Sequence, residues 1–327
     1  SYSKTDKELQ TGSVQTKVYG MAERNSDAWS VSARYSKHDF LTDRLTLKAT
    51  LSHTWDHSVT VDTAYRKYYW DGGYIISQRN EIRGSAPSMR HFKRPLTLVR
   101  ANLDYPLGEH HGFNLNYNLN RTGNDRFDDL DRSFTPSNDA VTKHIVGLTY
   151  SQSFFEGKMQ NVFFAKDYVN HPNIRQTDQS SVTGSDKVQG STTKNYVGYG
   201  AGVRYMFLDP LALKVSFEHS VRLPVARELL GNGTTIYANV ALEPEKSNNL
   251  NLSVFGTWHP ATGHTLHYET NGFLRYVDNY IQTSVIEKEG MLQYVNDPAV
   301  HIKGVEGEIR YDWDGRLQFM ANVSYQD

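Results

Sequence analysis

Residues 113–120 read Phe-Asn-Leu-Asn-Tyr-Asn-Leu-Asn. In an extended chain successive side chains point to opposite faces. Phe113, Leu115, Tyr117 and Leu119 therefore share one wall, and Asn114, Asn116, Asn118 and Asn120 share the other. The same alternation recurs in Leu45, Leu47, Ala49 and Leu51 against Thr46, Lys48, Thr50 and Ser52. It returns in Val197, Tyr199, Ala201, Val203, Tyr205 and Phe207 against Gly198, Gly200, Gly202 and Arg204, and again in Leu317, Phe319, Ala321, Val323 and Tyr325. A chain so patterned folds as sheet with one apolar and one polar face. The fold class expected is all-β.

Fourteen strands are expected, at 14–24, 28–37, 44–55, 59–70, 95–105, 112–121, 141–154, 159–169, 194–208, 211–221, 247–258, 264–282, 302–312 and 316–326. Most run about ten to twelve residues. A tilted membrane-crossing strand needs roughly 9–11, whereas globular strands favour about five or six. The connections alternate in length. Short turns are expected at Asn25–Asp27, Asp56–Ser58, Pro106–His111, Phe155–Lys158, Asp209–Pro210, His259–Gly263 and Trp313–Gly315. The others are the brief His38–Asp43 and the long 71–94, 122–140, 170–193, 222–246 and 283–301. Short periplasmic turns and long extracellular loops distinguish outer-membrane barrels, while a soluble sandwich has no reason to lengthen every second connection. Trp55, Tyr105, Phe154, Phe207, Trp258 and Trp313 stand just before or at short turns, and Tyr68, Tyr69 and Trp70 at the opposite end. Two aromatic belts suit the two membrane–water interfaces.

Composition narrows the function. Lys+Arg number 35 and Asp+Glu 36, a net charge of −1, which excludes a strongly basic nucleic-acid binder and an acidic-tail protein. With no cysteine, disulfide frameworks, cysteine-ligated zinc or iron–sulfur centres and thiol nucleophiles are excluded. No apolar run reaches the roughly 18 residues of a membrane helix, a fact silent about barrels, whose strands are only half apolar. No spacing of Ser, Asp and His selects a catalytic triad, and glycine-rich phosphate loops are absent, so no enzyme activity and no resident cofactor are expected. With short turns periplasmic, strand 14–24 starts outside and strand 316–326 ends outside. That parity, together with no export signal at Ser1 and no aromatic at Asp327, leads to the expectation of a fragment lacking at least one strand at each end.

The most distinctive stretch is 219–249. It holds Arg222-Leu-Pro224, Glu228-Leu229, Gly231-Asn-Gly233, Asn239, Leu242, Pro244-Glu245 and Ser247. Further on stand Tyr294-Val-Asn296 and Gly304-Val-Glu306-Gly-Glu308. Order and spacing resemble TonB-dependent outer-membrane receptors. Their barrels carry an aromatic-Arg-x-Pro-x-x-x-Glu-Leu box, a glycine-rich loop, an Asn-Pro-x-Leu-x-Pro-Glu-x-Ser box and a Tyr-x-Asn…Gly-x-Glu-x-Glu hairpin. Val221 replaces the aromatic and Val240 the first proline. The resemblance implies that 1–327 is part of a transmembrane antiparallel β-barrel of about 22 strands. It further implies an N-terminal plug that, like the last strands, lies outside this sequence. It implies import of a scarce ligand, a ferric siderophore or similar iron chelate, energised through TonB in a Gram-negative outer membrane. Partners would be lipid, lipopolysaccharide, TonB and the ligand, with no nucleic acid. A passive porin or structural barrel and a secreted all-β binding protein remain as alternatives.

Local physics gives the boxes a second reading as scaffold. Pro224 and Pro244 remove a ladder donor at each end of the connection. Gly231-Asn-Gly233 supplies turn positions, and Arg222, Glu228, Asn239, Glu245, Gly304 and Glu306 hold the frame. Ligand contact by the same residues is the competing reading. Heme receptors of the family carry a histidine between the two boxes; 223–241 has none, which leaves Tyr237 as the nearest candidate. Loop 71–94 gathers Tyr74, Arg79, Arg83, Arg90, His91 and Arg94. Cations beside aromatics suit an anionic or planar chelate, and equally suit lipopolysaccharide or plain solvation. Asp125, Asp128, Asp129 and Asp131 crowd the next loop as a candidate calcium site, although the spacing is not that of an EF-hand.

Overall fold

In a computed structural model the described residues are 1–8, 17–18, 22–63, 66–69, 73–76, 87–132, 134, 136–178, 186–191, 193–231, 236–286 and 291–327. Strands occur at β1 (Tyr2–Glu8), β2 (Lys17–Val18), β3 (Ala22–Lys37), β4 (Thr46–Asp62), β5 (Arg66–Tyr69), β6 (Tyr74–Ile76), β7 (Ser88–Lys93), β8 (Leu96–Leu107), β9 (His111–Asp128) and β10 (Ser137–Phe154). They continue as β11 (Met159–Asp178), β12 (Asp186–Ser191), β13 (Lys194–Leu208) and β14 (Leu211–Arg222). One short helix, α1 (Ala226–Leu230), precedes β15 (Ile236–Tyr237), β16 (Glu245–Ala261), β17 (His264–Ile286), β18 (Met291–Trp313) and β19 (Leu317–Gln326). Sixteen strands form one sheet, in chain order and antiparallel except that β15 lies beyond β18 and pairs parallel with it; β2, β5 and β6 form a small second sheet. No helix among the described residues is long and apolar enough to cross a membrane, which says nothing of crossing by strands.

Side-chain alternation gives the sheet two unlike faces. On β9 the apolar face is bare: Leu115 is 42% exposed, and Leu148 on the neighbouring β10 is 52% exposed. The asparagine face is knitted by Asn114 Nδ2 donating to Asn102 Oδ1 (2.8 Å) and Asp104 Oδ1 (2.6 Å). The sheet thus has one bare apolar wall and one hydrogen-bonded polar wall. The polar wall has a local exception on β11, where Phe164 and Tyr168 point to the polar side. The glycine row of β13 makes room for them. A Cβ on Gly200 would lie 2.4 Å from the Phe164 ring, and one on Gly198 3.0 Å from Tyr168.

The sheet curls. Val141 of β10, Ile174 of β11 and Ile281 of β17 all pack on one cluster with Leu229, Leu230 and Leu242, although β13, β14 and β16 lie between β11 and β17. Only a curved sheet brings those strands to one point, so the polar face is the concave, lumenal one. The described parts of the 223–244 connection, through Leu229, Leu230 and Leu242, lie inside the curve.

Three expectations are corrected. Asn25–Asp27 and Asp56–Ser58 are not turns. They lie within β3 and β4 and pair with each other: Ser26 faces Ser58, Asp27 faces His57 and Ala28 faces Asp56. Turn-type composition yields here to ladder pairing, because each polar segment finds its partners in the other. Strands 14–24 and 28–37 therefore merge where described, as do 44–55 and the start of 59–70. The turn at His38–Asp43 consequently belongs to the short-turn end, and Trp55 leaves the belt there to stack on Trp29 (4.9 Å between rings). Tyr68 and Tyr69 sit in β5; Trp70 lies outside the described residues. Finally, the expected connections 122–140, 170–193 and 283–301 carry strand, because β9, β10, β11, β12, β17 and β18 reach into them; β17 and β18 each run 23 residues, well beyond what a bilayer requires, so their hairpin projects past it.

Candidate functional site

The site is built where β14 ends. Arg222 points to the lumen and reaches two carboxylates. Its Nε and Nη2 donate to Glu245 Oε2 and Oε1, both at 2.7 Å, and its Nη1 donates to Glu228 at 3.0 and 3.2 Å. Such a fork fixes geometry as well as charge. Each carboxylate then holds a backbone donor: Glu228 accepts the Val225 N–H at 2.8 Å, and Glu245 accepts the Ile281 N–H at 2.8 Å. Glu228 thereby closes the first turn of α1. Pro224 and Pro244 are fully buried at the two ends of the connection. Lys143 Nζ donates to the Leu223 carbonyl at 3.3 Å. Leu229 and Leu230, at 1% and 2% exposure, anchor the helix in the cluster inside the curve.

Gly231 ends the helix with φ 64° and ψ −164°, a region essentially confined to glycine. A Cβ there would meet the Ile236 carbonyl oxygen at 2.3 Å. The returning chain pairs with β18 through Ile236 and Tyr237, both buried. Two asparagines then join the motifs. Asn239 Nδ2 donates to the Tyr294 carbonyl (2.8 Å). Asn296 accepts the Glu243 N–H at Oδ1 (2.9 Å) and donates from Nδ2 to the Glu243 and Asn279 carbonyls (2.9 and 2.8 Å). Lys194 Nζ reaches Glu243 Oε1 at 2.5 Å, and the Tyr196 hydroxyl donates to Oε2 at 3.3 Å. The Lys194 ammonium holds the Glu243 carboxyl below its ordinary range, against a smaller opposing effect of burial. Of the hairpin box, Gly304 leaves room for the Phe273 ring, 2.5 Å from where a Cβ would stand, and Glu306 lies with Glu269 and Glu308 on the lower lumenal wall.

The other candidates separate. Arg79 and Arg83 lie outside the described residues. Tyr74, in β6, is half exposed. Arg90 and His91 are on β7, not in a loop, and strand alternation sends them to opposite faces. Arg90 faces the lumen and is buried, its Nε 3.6 Å from Asp128. His91 faces outward against His57 (3.0 Å) and Asp129 (3.0 Å) and stacks on Phe127. Tyr237 is buried in β15 rather than presented to the lumen.

The four aspartates do not converge. Asp128 accepts the backbone N–H of Met89, Leu130 and Asp131, Asp129 goes to His91, and Asp125 sits on the outward face of β9. Among the described residues no group of three or more His, Asp or Glu could hold a metal ion. Arg126 was not foreseen. It is buried on the lumenal face of β9, with Nη2 3.6 Å from Asp139 and Nε donating to Ser137 (3.1 Å). Extending the alternation of β9 past residue 121 would have placed it.

The family model described as "TonB dependent receptor-like, beta-barrel" matches residues 3–327. The chain belongs to that family. No curated protein matches this sequence. Among solved structures it is similar to the copper transporter OprC, at 14% identity and TM-score 0.68 over 95% of this chain and 48% of that one. It is also similar to the Serratia marcescens hemophore receptor HasR, solved with its hemophore HasA and heme, at 16% identity and TM-score 0.62 over 99% and 53%. A third is BauA, the ferric preacinetobactin receptor of Acinetobacter baumannii, at 11% identity and TM-score 0.56 over 98% and 47%. At these identities the likeness is one of fold. The chain spans about half the length of these structures.

Proposed function

We propose that residues 1–327 are the barrel portion of an outer-membrane receptor that imports a scarce iron chelate, such as a ferric siderophore, with energy from TonB. The plug and the TonB-contacting segment lie outside these residues. The observation that carries this reading is the joining of the two boxes inside the curve, through Arg222 to Glu228 and Glu245 and through Asn239 and Asn296 to the facing backbone. A receptor must keep its mouth in one shape to recognise a ligand, whereas a diffusion pore needs only width. Family membership supports transport across the outer membrane over catalysis or secretion.

The test deletes the full gene and follows uptake of radiolabelled ferric chelates by iron-starved cells, with and without a protonophore. Loss of uptake on deletion and on collapse of the proton gradient supports the reading. Flux that survives the protonophore indicates a passive porin. A product recovered without detergent indicates a secreted protein.

A further inference from the structure

The short turns form one joined rim. The Ser153 backbone N–H donates to the His110 carbonyl at 2.8 Å and ties the β8–β9 turn to the β10–β11 turn. The Met206 N–H donates to the Lys158 carbonyl at 2.8 Å, and the Thr257 N–H to the Asp209 carbonyl at 3.2 Å, which carries the rim through β13 and β14 to β16. The Asp314 N–H donates to the Gly263 carbonyl at 2.6 Å and joins the last two turns. Side chains at these turns are therefore presented along a fixed line.

Four consecutive turns of that rim present large apolar side chains. Leu41, between β3 and β4, is 84% exposed, and Phe155, between β10 and β11, is 66% exposed. Leu107 at the β8–β9 turn and Leu208 at the β13–β14 turn are exposed as well. The next two turns differ: the β16–β17 turn holds Thr262 and Gly263, and the β18–β19 turn pairs Arg316 with Asp314 at 3.6 Å. Two of the apolar tips occupy backbone that bulky residues avoid, with φ 66° at Leu41 and 53° at Phe155. Glycine or asparagine takes such angles with little strain. Leucine and phenylalanine thus stand where turn chemistry favours small polar residues, and an apolar surrounding would offset that strain.

The outer wall indicates which surrounding. Its apolar band reaches the turns: Leu45 and Phe207 stand on the outward face close to theirs, and Trp313 immediately precedes the last one. Interfacial aromatic residues mark the edge of the hydrocarbon. A tilted strand crosses in roughly 9–11 residues, and that count upward from Leu45 ends at Trp55, stacked on Trp29 in the opposite belt. The turn tips consequently lie in the headgroup layer, which adds roughly 5–7 Å on each side of the hydrocarbon.

We propose that Leu41, Leu107, Phe155 and Leu208 anchor one flank of the barrel in the inner leaflet of the outer membrane, inserted among phospholipid headgroups against the acyl chains. The inference rests on the outer-membrane reading above. The tips continue the apolar outer wall without a break, which favours lipid over a periplasmic protein as the occupant. The β16–β17 and β18–β19 turns lack such side chains, so the anchor is one-sided and sets the depth of the β3–β14 flank.

The test uses site-directed nitroxide labels, since residues 1–327 contain no cysteine. The full-length receptor, with any cysteine outside these residues replaced by serine, is labelled in turn at Leu41→Cys, Phe155→Cys, Arg316→Cys and Leu115→Cys. Each variant is reconstituted in vesicles of phosphatidylethanolamine and phosphatidylglycerol, and a heat-modifiable band on gels establishes that it is folded. Power saturation then compares collisions with oxygen, which concentrates in lipid, and with a water-soluble nickel chelate. The oxygen-to-nickel ratio is expected to be highest at Leu115→Cys, intermediate at Leu41→Cys and Phe155→Cys, and lowest at Arg316→Cys. Tip labels with the Arg316→Cys ratio overturn the anchor. Tip labels shielded from both reagents also overturn it, because protein then covers the rim. An Arg316→Cys label as lipid-exposed as the tips refutes the one-sided anchor. A Leu115→Cys label freely reached by nickel would instead sink the membrane-barrel reading itself.

Discussion

At the scale of single residues, the infolded connection depends on a few side chains and one bare backbone. Gly231→Ala places a methyl on the Ile236 carbonyl and forces a side chain into a backbone region it avoids. Strain of that kind costs about 1–3 kcal/mol before the clash is counted. Reduced assembly and faster protease nicking near residue 231 are the expected outcome in the full receptor; wild-type behaviour would show that the turn tolerates a Cβ. Glu243 carries the pH dependence. Its carboxyl is held below its ordinary range, mainly by Lys194. A depressed carboxyl contributes stability that is fully present above its unfolded value, near 4.5, and is lost as pH falls through the lower folded value. The connection should therefore be fully tied down at neutral pH and loosen in acid. Deuterium uptake over 236–245, corrected for intrinsic exchange, should rise below about pH 4.5 in the wild type. In Glu243→Gln it should already be raised at pH 7. Equal uptake in the two proteins at pH 7 would remove Glu243 from this role.

At the scale of elements, alternation decides what a substitution meets. Leu115 lies on the bare outer face of β9 and Asn116 on the lumenal face, over Gly147, whose missing Cβ leaves room there. Leu115→Arg should cost about 2–4 kcal/mol if the position lies at the bilayer midplane. Asn116→Arg should cost much less, because its charge stays in the polar lumen. A folding titration into lipid vesicles compares the two, and equal costs would invert the assignment of faces. The same alternation explains why a cluster dense in sequence is split in space. Arg90 and His91 are neighbours in the chain, yet they occupy opposite sides of β7 and answer to different partners, Asp128 and His57.

At the scale of the whole molecule, the described sheet begins on β1, bonded on one side only, and ends beyond β18 on β19 and the short β15. Unpaired edges cannot be left in hydrocarbon, where water is absent to satisfy them. Residues 1–327 expressed alone should therefore not give a closed, heat-modifiable monomer, and a gel-shifting monomer from this segment would contradict the expectation. Much of the architecture was legible in the sequence. Period-2 alternation marked the two faces of β9, β13 and β19, and the boxes marked the family, because both are local patterns written in consecutive residues. Strand ends were not legible. Asn25–Asp27 and Asp56–Ser58 look like turns until they are seen to pair with each other, and that pairing is non-local. The meeting of Asn239 with Tyr294 depends on how far the sheet curls and where the connection after β14 folds. The sequence by itself determined a two-faced antiparallel sheet of the TonB-dependent receptor kind, since side-chain direction in a strand follows from backbone geometry alone. Only the tertiary structure decided which side chains share the lumen, because curvature and register bring together residues that no spacing along the chain relates.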